Sequence, residues 1–135
     1  MGHIGEHVTL DDPAYVHESA WLYGKVYVGP GASIWPNVVT RAETFEISIG
    51  ARTNIQDFVM IHVGAMTPTI VGEDCSITHH ATLHGCTIGD RCLIGINATN
   101  HGRRESRGKL HCCRAYNHHR KQGIPPQLSD CRCSR

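Results

Sequence analysis

Aromatic residues make up only 6% of this 135-residue chain, and nowhere does it contain a run of 18 apolar residues. The missing run excludes a helix that spans a bilayer. Met1 to Glu6 holds no basic region followed by an apolar stretch, and no Ser or Thr follows Gly2 where acylation requires one. Neither a secretory signal nor a lipid anchor is therefore expected, and the expected address is cytoplasmic, without a membrane partner. Cys75, Cys86 and Cys92 lack paired-thiolate spacing and read as small buried or rim residues in a reducing compartment. What the chain does have is 40% hydrophobic and 19% charged residues, which excludes wholesale disorder, collagen and a membrane bundle. At 14.9 kDa it can build one domain around one modest core. Fourteen glycines beside many Ile and Val residues suit β-structure with tight corners better than a helical bundle.

The net charge of +1 hides a division. Residues 1–99 carry 4 Lys/Arg against 10 Asp/Glu, whereas residues 100–135 carry 9 against 2 and hold four of the seven cysteines. Three segments follow: an N-terminal segment 1–15, a repeat domain 16–99, and a basic Cys/His-rich tail 100–135.

The repeat has a period of six. Val16, Leu22, Val28, Ile34 and Thr40 are six apart, as are Ile49, Ile55 and Ile61, then Val71, Ile77 and Leu83, and finally Ile88 and Ile94. Six is neither a helical period nor that of a simple strand. It is the hexapeptide pattern of a parallel β-helix, in which each unit is a short strand plus a corner and the recurring aliphatic points into the shaft. Three extra residues before Ile49, four before Val71 and one missing before Ile88 predict loops there. Allowing for them, Thr40, Ile61 and Leu83 share one face on successive coils, and Ile55 and Ile77 share another.

The residues that follow those aliphatics form columns. Arg41, His62 and His84 stack on the first face at about 4.8 Å per coil, so the two imidazoles can hold one metal. His79 belongs to the other face, in the column of Asp57, and cannot join them within one chain. Three chains around a threefold axis would bring one chain's second face to its neighbour's first, completing a three-histidine site with an open position. The same packing brings Asp57 and Gln56 toward Arg41. His3, His7, His17 and His80 read as surface residues.

The segments Ser33–Val39 (SIWPNVV), Ile49–Asp57 (IGARTNIQD) and His79–Gly89 (HHATLHGCTIG) resemble the gamma-class carbonic anhydrases over roughly residues 11–99. The resemblance implies a left-handed parallel β-helix assembled as a homotrimer, with a metal held by His62 and His84 of one subunit and His79 of the next. It further implies that Arg41 pairs with Asp57 between subunits, that Gln56 orients the reacting water, and that the substrate pair is carbon dioxide and bicarbonate. Neutral imidazoles suit Zn2+, with Fe2+ or Co2+ as alternatives, and leave the ion's charge undiminished so that water can supply hydroxide near neutral pH. Two other readings stay open: a non-catalytic metal-binding scaffold, and acyl or thioester chemistry on the same fold, for which no nucleophile is recognisable.

The chain departs from the family in several places. Arg41-Ala42-Glu43 stands where relatives have Arg-Gly-Asp, segment 63–70 has no acidic residue to shuttle protons, and Thr78 and Phe58 replace small residues beside the site. After Thr99 the repeat stops. A zinc module is disfavoured because adjacent pairs such as Cys112-Cys113 lack chelating separation. A nucleic-acid arm is disfavoured because only Tyr116 could stack, so no nucleic-acid partner is expected. A shift of reading frame near Asn100 is favoured: a one-nucleotide shift turns wobble pyrimidines into middle bases, which encode mostly apolar or small residues. A tail of that origin is expected to be disordered and to leave the last coil uncapped.

Overall fold

A strand of two or three residues followed by a corner buries little alone and is stable only when stacked on equivalent strands one coil away. The computed structural model, which describes residues 2–102, shows that stacking: a parallel β-solenoid of about six turns, with no helix among the described residues. Its strands begin with β1 (His3–Ile4), β2 (Val8–Leu10), β3 (Tyr15–Val16), β4 (Trp21–Val28), β5 (Ser33–Ile34), β6 (Val39–Ile49) and β7 (Asn54–Ile55). They continue with β8 (Met60–His62), β9 (Thr69–Val71), β10 (Ser76–Ile77), β11 (Thr82–His84), β12 (Thr87–Ile88), β13 (Leu93–Ile94) and β14 (Thr99–His101). Strands β4 and β6 each turn a corner, and their first halves join β1, β8, β11 and β14 in the first face. Their second halves join β2, β9 and β12 in the second face, while β3, β5, β7, β10 and β13 form the third.

The six-residue periodicity is the register of this stack. Leu22, Thr40, Ile61 and Leu83 line the first face, Val28, Ile49, Val71 and Ile88 the second, and Ile34, Ile55, Ile77 and Ile94 the third. None of the twelve is more than 2% exposed. Each buried Leu, Ile or Val stabilises the stack by about 1.5–3 kcal/mol.

One expected loop has a different form. The three extra residues before Ile49 do not interrupt the chain: β6 runs unbroken from Val39 to Ile49, and the register shifts opposite the segment between Gly24 and Val26. Ala42 and Ile47 stay buried on either side, so the strand bows outward between two fixed points as a bulge. The insertion before Val71 is the segment 63–68 that joins β8 to β9, with Met66 80% exposed.

Backbone pairing also runs past Thr99. Strand β14 pairs with β11 through His101, and Asn100 takes the inward position after Leu83. It is buried there, and its amide has no hydrogen-bond partner among the described residues. The readings of the tail from residue 103 onward, its metal ligands, nucleic-acid contacts and order, lie outside the described residues.

Among the described residues, Thr40 is the other whose buried polar side chain lacks a partner, its Oγ1 enclosed between Leu22 and Ile61. A buried hydroxyl without a partner costs about 1–3 kcal/mol in desolvation. Thr40→Val keeps the shape and removes the hydroxyl, and is expected to raise unfolding stability by about 1 kcal/mol, read from the urea midpoint.

The thiols bear out their small buried character. Cys75 and Cys92 are buried and Cys86 is partly buried. The Cys75 Sγ donates to the Gly89 carbonyl at 3.0 Å, and its pKa is held far above the ordinary thiol value by the Cys92 thiol and by burial. Burial pushes Cys86 up to about 11. Both are neutral thiols at pH 8, so they are expected to alkylate at least tenfold more slowly than free cysteine, mapped by peptide mass spectrometry. Because the folded value of Cys86 is raised, its contribution to stability is complete below the ordinary thiol pKa near 8.5 and declines as pH climbs toward about 11.

Candidate metal centre

On the first face, the residue after each inward side chain points out of the coil. Parallel register stacks these residues as Tyr23, Arg41, His62, His84 and His101. The predicted column is therefore present, and it is one histidine longer than the sequence pattern indicated. The rings of His62 and His84 lie 5.0 Å apart and tilted by 52°, while those of His84 and His101 lie 4.4 Å apart and tilted by 29°.

Glu43 is drawn into this column by the bulge in β6. Its Oε1 pairs with Arg41 Nε at 2.9 Å, and its Oε2 lies 3.0 Å from His62 Nε2. Arg41 Nη2 is 3.1 Å from the same nitrogen, so His62 accepts from the guanidinium in one tautomer and donates to the carboxylate in the other. Burial opposes the charge on Glu43, but its own backbone N–H, His62 and Arg41 outweigh it and hold the carboxyl below its usual pKa. At His84, burial first and then the charges of His101, His62 and Arg41 keep the imidazole pKa below its usual value. His84 is thus neutral at neutral pH, the form in which an imidazole ligates.

The remaining predicted residues lie elsewhere on the coil. Gln56 directly follows β7, its backbone N–H donating to the Ile77 carbonyl. His79 follows β10, and its Nδ1 lies 3.2 Å from Asp57 Oδ2. Thr78 donates its hydroxyl to the Ile94 carbonyl at 2.6 Å. Phe58 adopts a left-handed conformation (φ 60°) and stacks on the exposed ring of His80 at 4.9 Å. Arg41, His62 and His84 are thus brought together on one face, and Gln56, Asp57 and His79 on another flank. Among the described residues no three His, Cys, Asp or Glu side chains converge on a single ion.

Sequence reasoning gave Glu43 the job of the family's shorter carboxylate without its contacts, and missed His101. Glu43 was a departure from a motif whose contacts depended on the shape of the bulge. His101 had a signal: Asn100 follows Leu83 by 17 residues, the interval that separates Ile77 from Ile94 on the third face.

The fold and its columns define a hexapeptide-repeat parallel β-solenoid with histidines displayed on its flanks. No family model matches the chain. It is 45% identical over 85 residues, 58% of its length, to the protein named gamma carbonic anhydrase 3, mitochondrial, of Arabidopsis thaliana, covering 33% of that protein. It is 40% identical over 91 residues to protein YrdA of Escherichia coli, covering 62% of this chain and 46% of the relative. With a probable carbonic anhydrase of Methanocaldococcus jannaschii the identity is 42% over 71 residues, covering 53% and 45%. The relatives named gamma carbonic anhydrase are thus what 58–63% of this chain is similar to. The chain spans between a third and a half of the length of these three relatives.

Proposed function

We propose that the chain is a gamma-type carbonic anhydrase-like lyase, acting as a homotrimer that reversibly hydrates carbon dioxide to bicarbonate. The relatives' names point to that chemistry, and the observation that carries it is the in-register stacking of His62 and His84, with His79 held apart on another flank. A chain that displays two imidazole donors on one face and a third on another needs a second copy to bring all three to one ion.

The donors fit a borderline divalent metal, Zn2+ first and Fe2+ or Co2+ as alternatives. His62 and His84 of one subunit and His79 of the next would hold it. When bound, such an ion supplies the Lewis acidity that makes water a usable nucleophile near neutral pH. The chain's own residues prepare the site. Asp57 accepts from His79 Nδ1, which leaves Nε2 as the ligating nitrogen. Glu43 and Arg41 both meet the His62 ring at Nε2, which leaves Nδ1 as its free nitrogen. The Gln56 amide can hydrogen-bond the reacting water without changing its own protonation state. In the trimer Arg41 would pair with Asp57 of an adjoining subunit.

The test is native mass spectrometry with metal analysis, followed by stopped-flow carbon dioxide hydration. Three chains with one ion each, and metal-dependent hydration, are the expected result. Single chains without bound metal overturn it, and a metal-loaded trimer without hydration activity assigns the chain to a non-catalytic scaffold.

A further inference from the structure

The column on the first face does not end at His84. His101 sits in register beside it on β14, with ring centroids 4.4 Å apart, closer than the His62–His84 pair. Its Nδ1 lies 3.1 Å from the Gly102 carbonyl and donates to it, which fixes the tautomer and leaves the Nε2 lone pair free. His101 is exposed, so that lone pair can reach an ion from solvent. Three rings spaced 5.0 and 4.4 Å along one column cannot all reach a single ion, so an ion would have to sit between two neighbours. The column therefore offers two overlapping positions that share His84.

We infer that His84 and His101 form a second divalent-metal position, for a borderline ion such as Zn2+, one coil along from the His62–His84 pair. Both donors belong to one chain, so this position needs no partner subunit. Its remaining coordination is left to water, since the residue that succeeds Asp57 and His79 in their column, one coil further on, is Ile96, which offers no donor. Two imidazoles on adjacent strands are the donor set that borderline divalent ions prefer over hard cations such as Mg2+ or Ca2+. Because the positions share His84, an ion in one excludes an ion from the other.

The experiment isolates the new pair. In the full-length His62→Ala/His79→Ala chain, both partners of His84 in the three-histidine reading are gone and only His101 remains beside it. All these side chains project outward from the coil, so their removal leaves the core untouched. The probe is Zn2+ at fixed pH, and the readout is protection of His84 from diethylpyrocarbonate, resolved by peptide mass spectrometry so that metal held elsewhere does not register. At least tenfold slower modification of His84 with zinc is expected, and the protection should vanish when His101→Ala is added. Modification of His84 that zinc does not slow, or protection that persists without His101, overturns the inference. Either outcome stands apart from the trimeric reading, which is decided by native mass and by the activity of the His79→Ala chain alone.

Discussion

His84→Ala is expected to abolish metal-dependent carbon dioxide hydration, by at least about 100-fold, while the chain still folds and assembles. His84 belongs to both donor pairs of the column, so no neighbouring imidazole can compensate for its loss. Its ring projects from β11 beside the inward Leu83, which keeps its place in the shaft in the variant. Far-UV circular dichroism and native mass should therefore match the unaltered protein while bound metal falls. An unfolded variant would show that His84 serves the coil rather than the ion. A folded, metal-free variant with undiminished hydration would remove the metal from the reaction altogether.

The largest effect on stability is expected from Gly24→Ala. Gly24 sits at a corner of β4 with φ +78°, opposite Ala42 on the next coil. A Cβ there would fall on the Ala42 carbonyl, whose residue is itself buried. The left-handed conformation alone costs about 1–2 kcal/mol for a residue with a side chain. The clash is with backbone rather than with a flexible side-chain end, so two coils must separate to relieve it. The total is expected to reach about 3 kcal/mol or more, read as a lower urea midpoint. Gly89→Ala is the control: a Cβ at Gly89 meets nothing within 4 Å, and the change should stay within about 0.5 kcal/mol.

Much of the candidate site was legible because a solenoid converts sequence spacing directly into spatial neighbours. Once Ile61 and Leu83 are placed on one face, parallel pairing leaves His62 and His84 no choice but to stack. The same reasoning puts His79 with Asp57 and away from them, and their side chains meet at 3.2 Å. It failed for Glu43, because a three-residue insertion can leave the coil as a loop or bow within the strand, and the two send neighbouring side chains to different places. It failed for His101 because the pattern was followed through aliphatic residues and one Thr, and backbone pairing does not require either. Asn100 enters the shaft after Leu83 despite its polarity, carrying the strand and His101 with it.

The period of six by itself determined the parallel coil, the three inward columns and the division of the histidines between two flanks, since each follows from counting residues around a repeating turn. The tertiary structure alone decided that β6 bows instead of looping, that Glu43 reaches Arg41 and His62, and that the imidazole column extends to His101. Those outcomes depend on how insertions and polar residues are accommodated against neighbouring coils, which is a matter of packing and backbone hydrogen bonding that spacing does not encode.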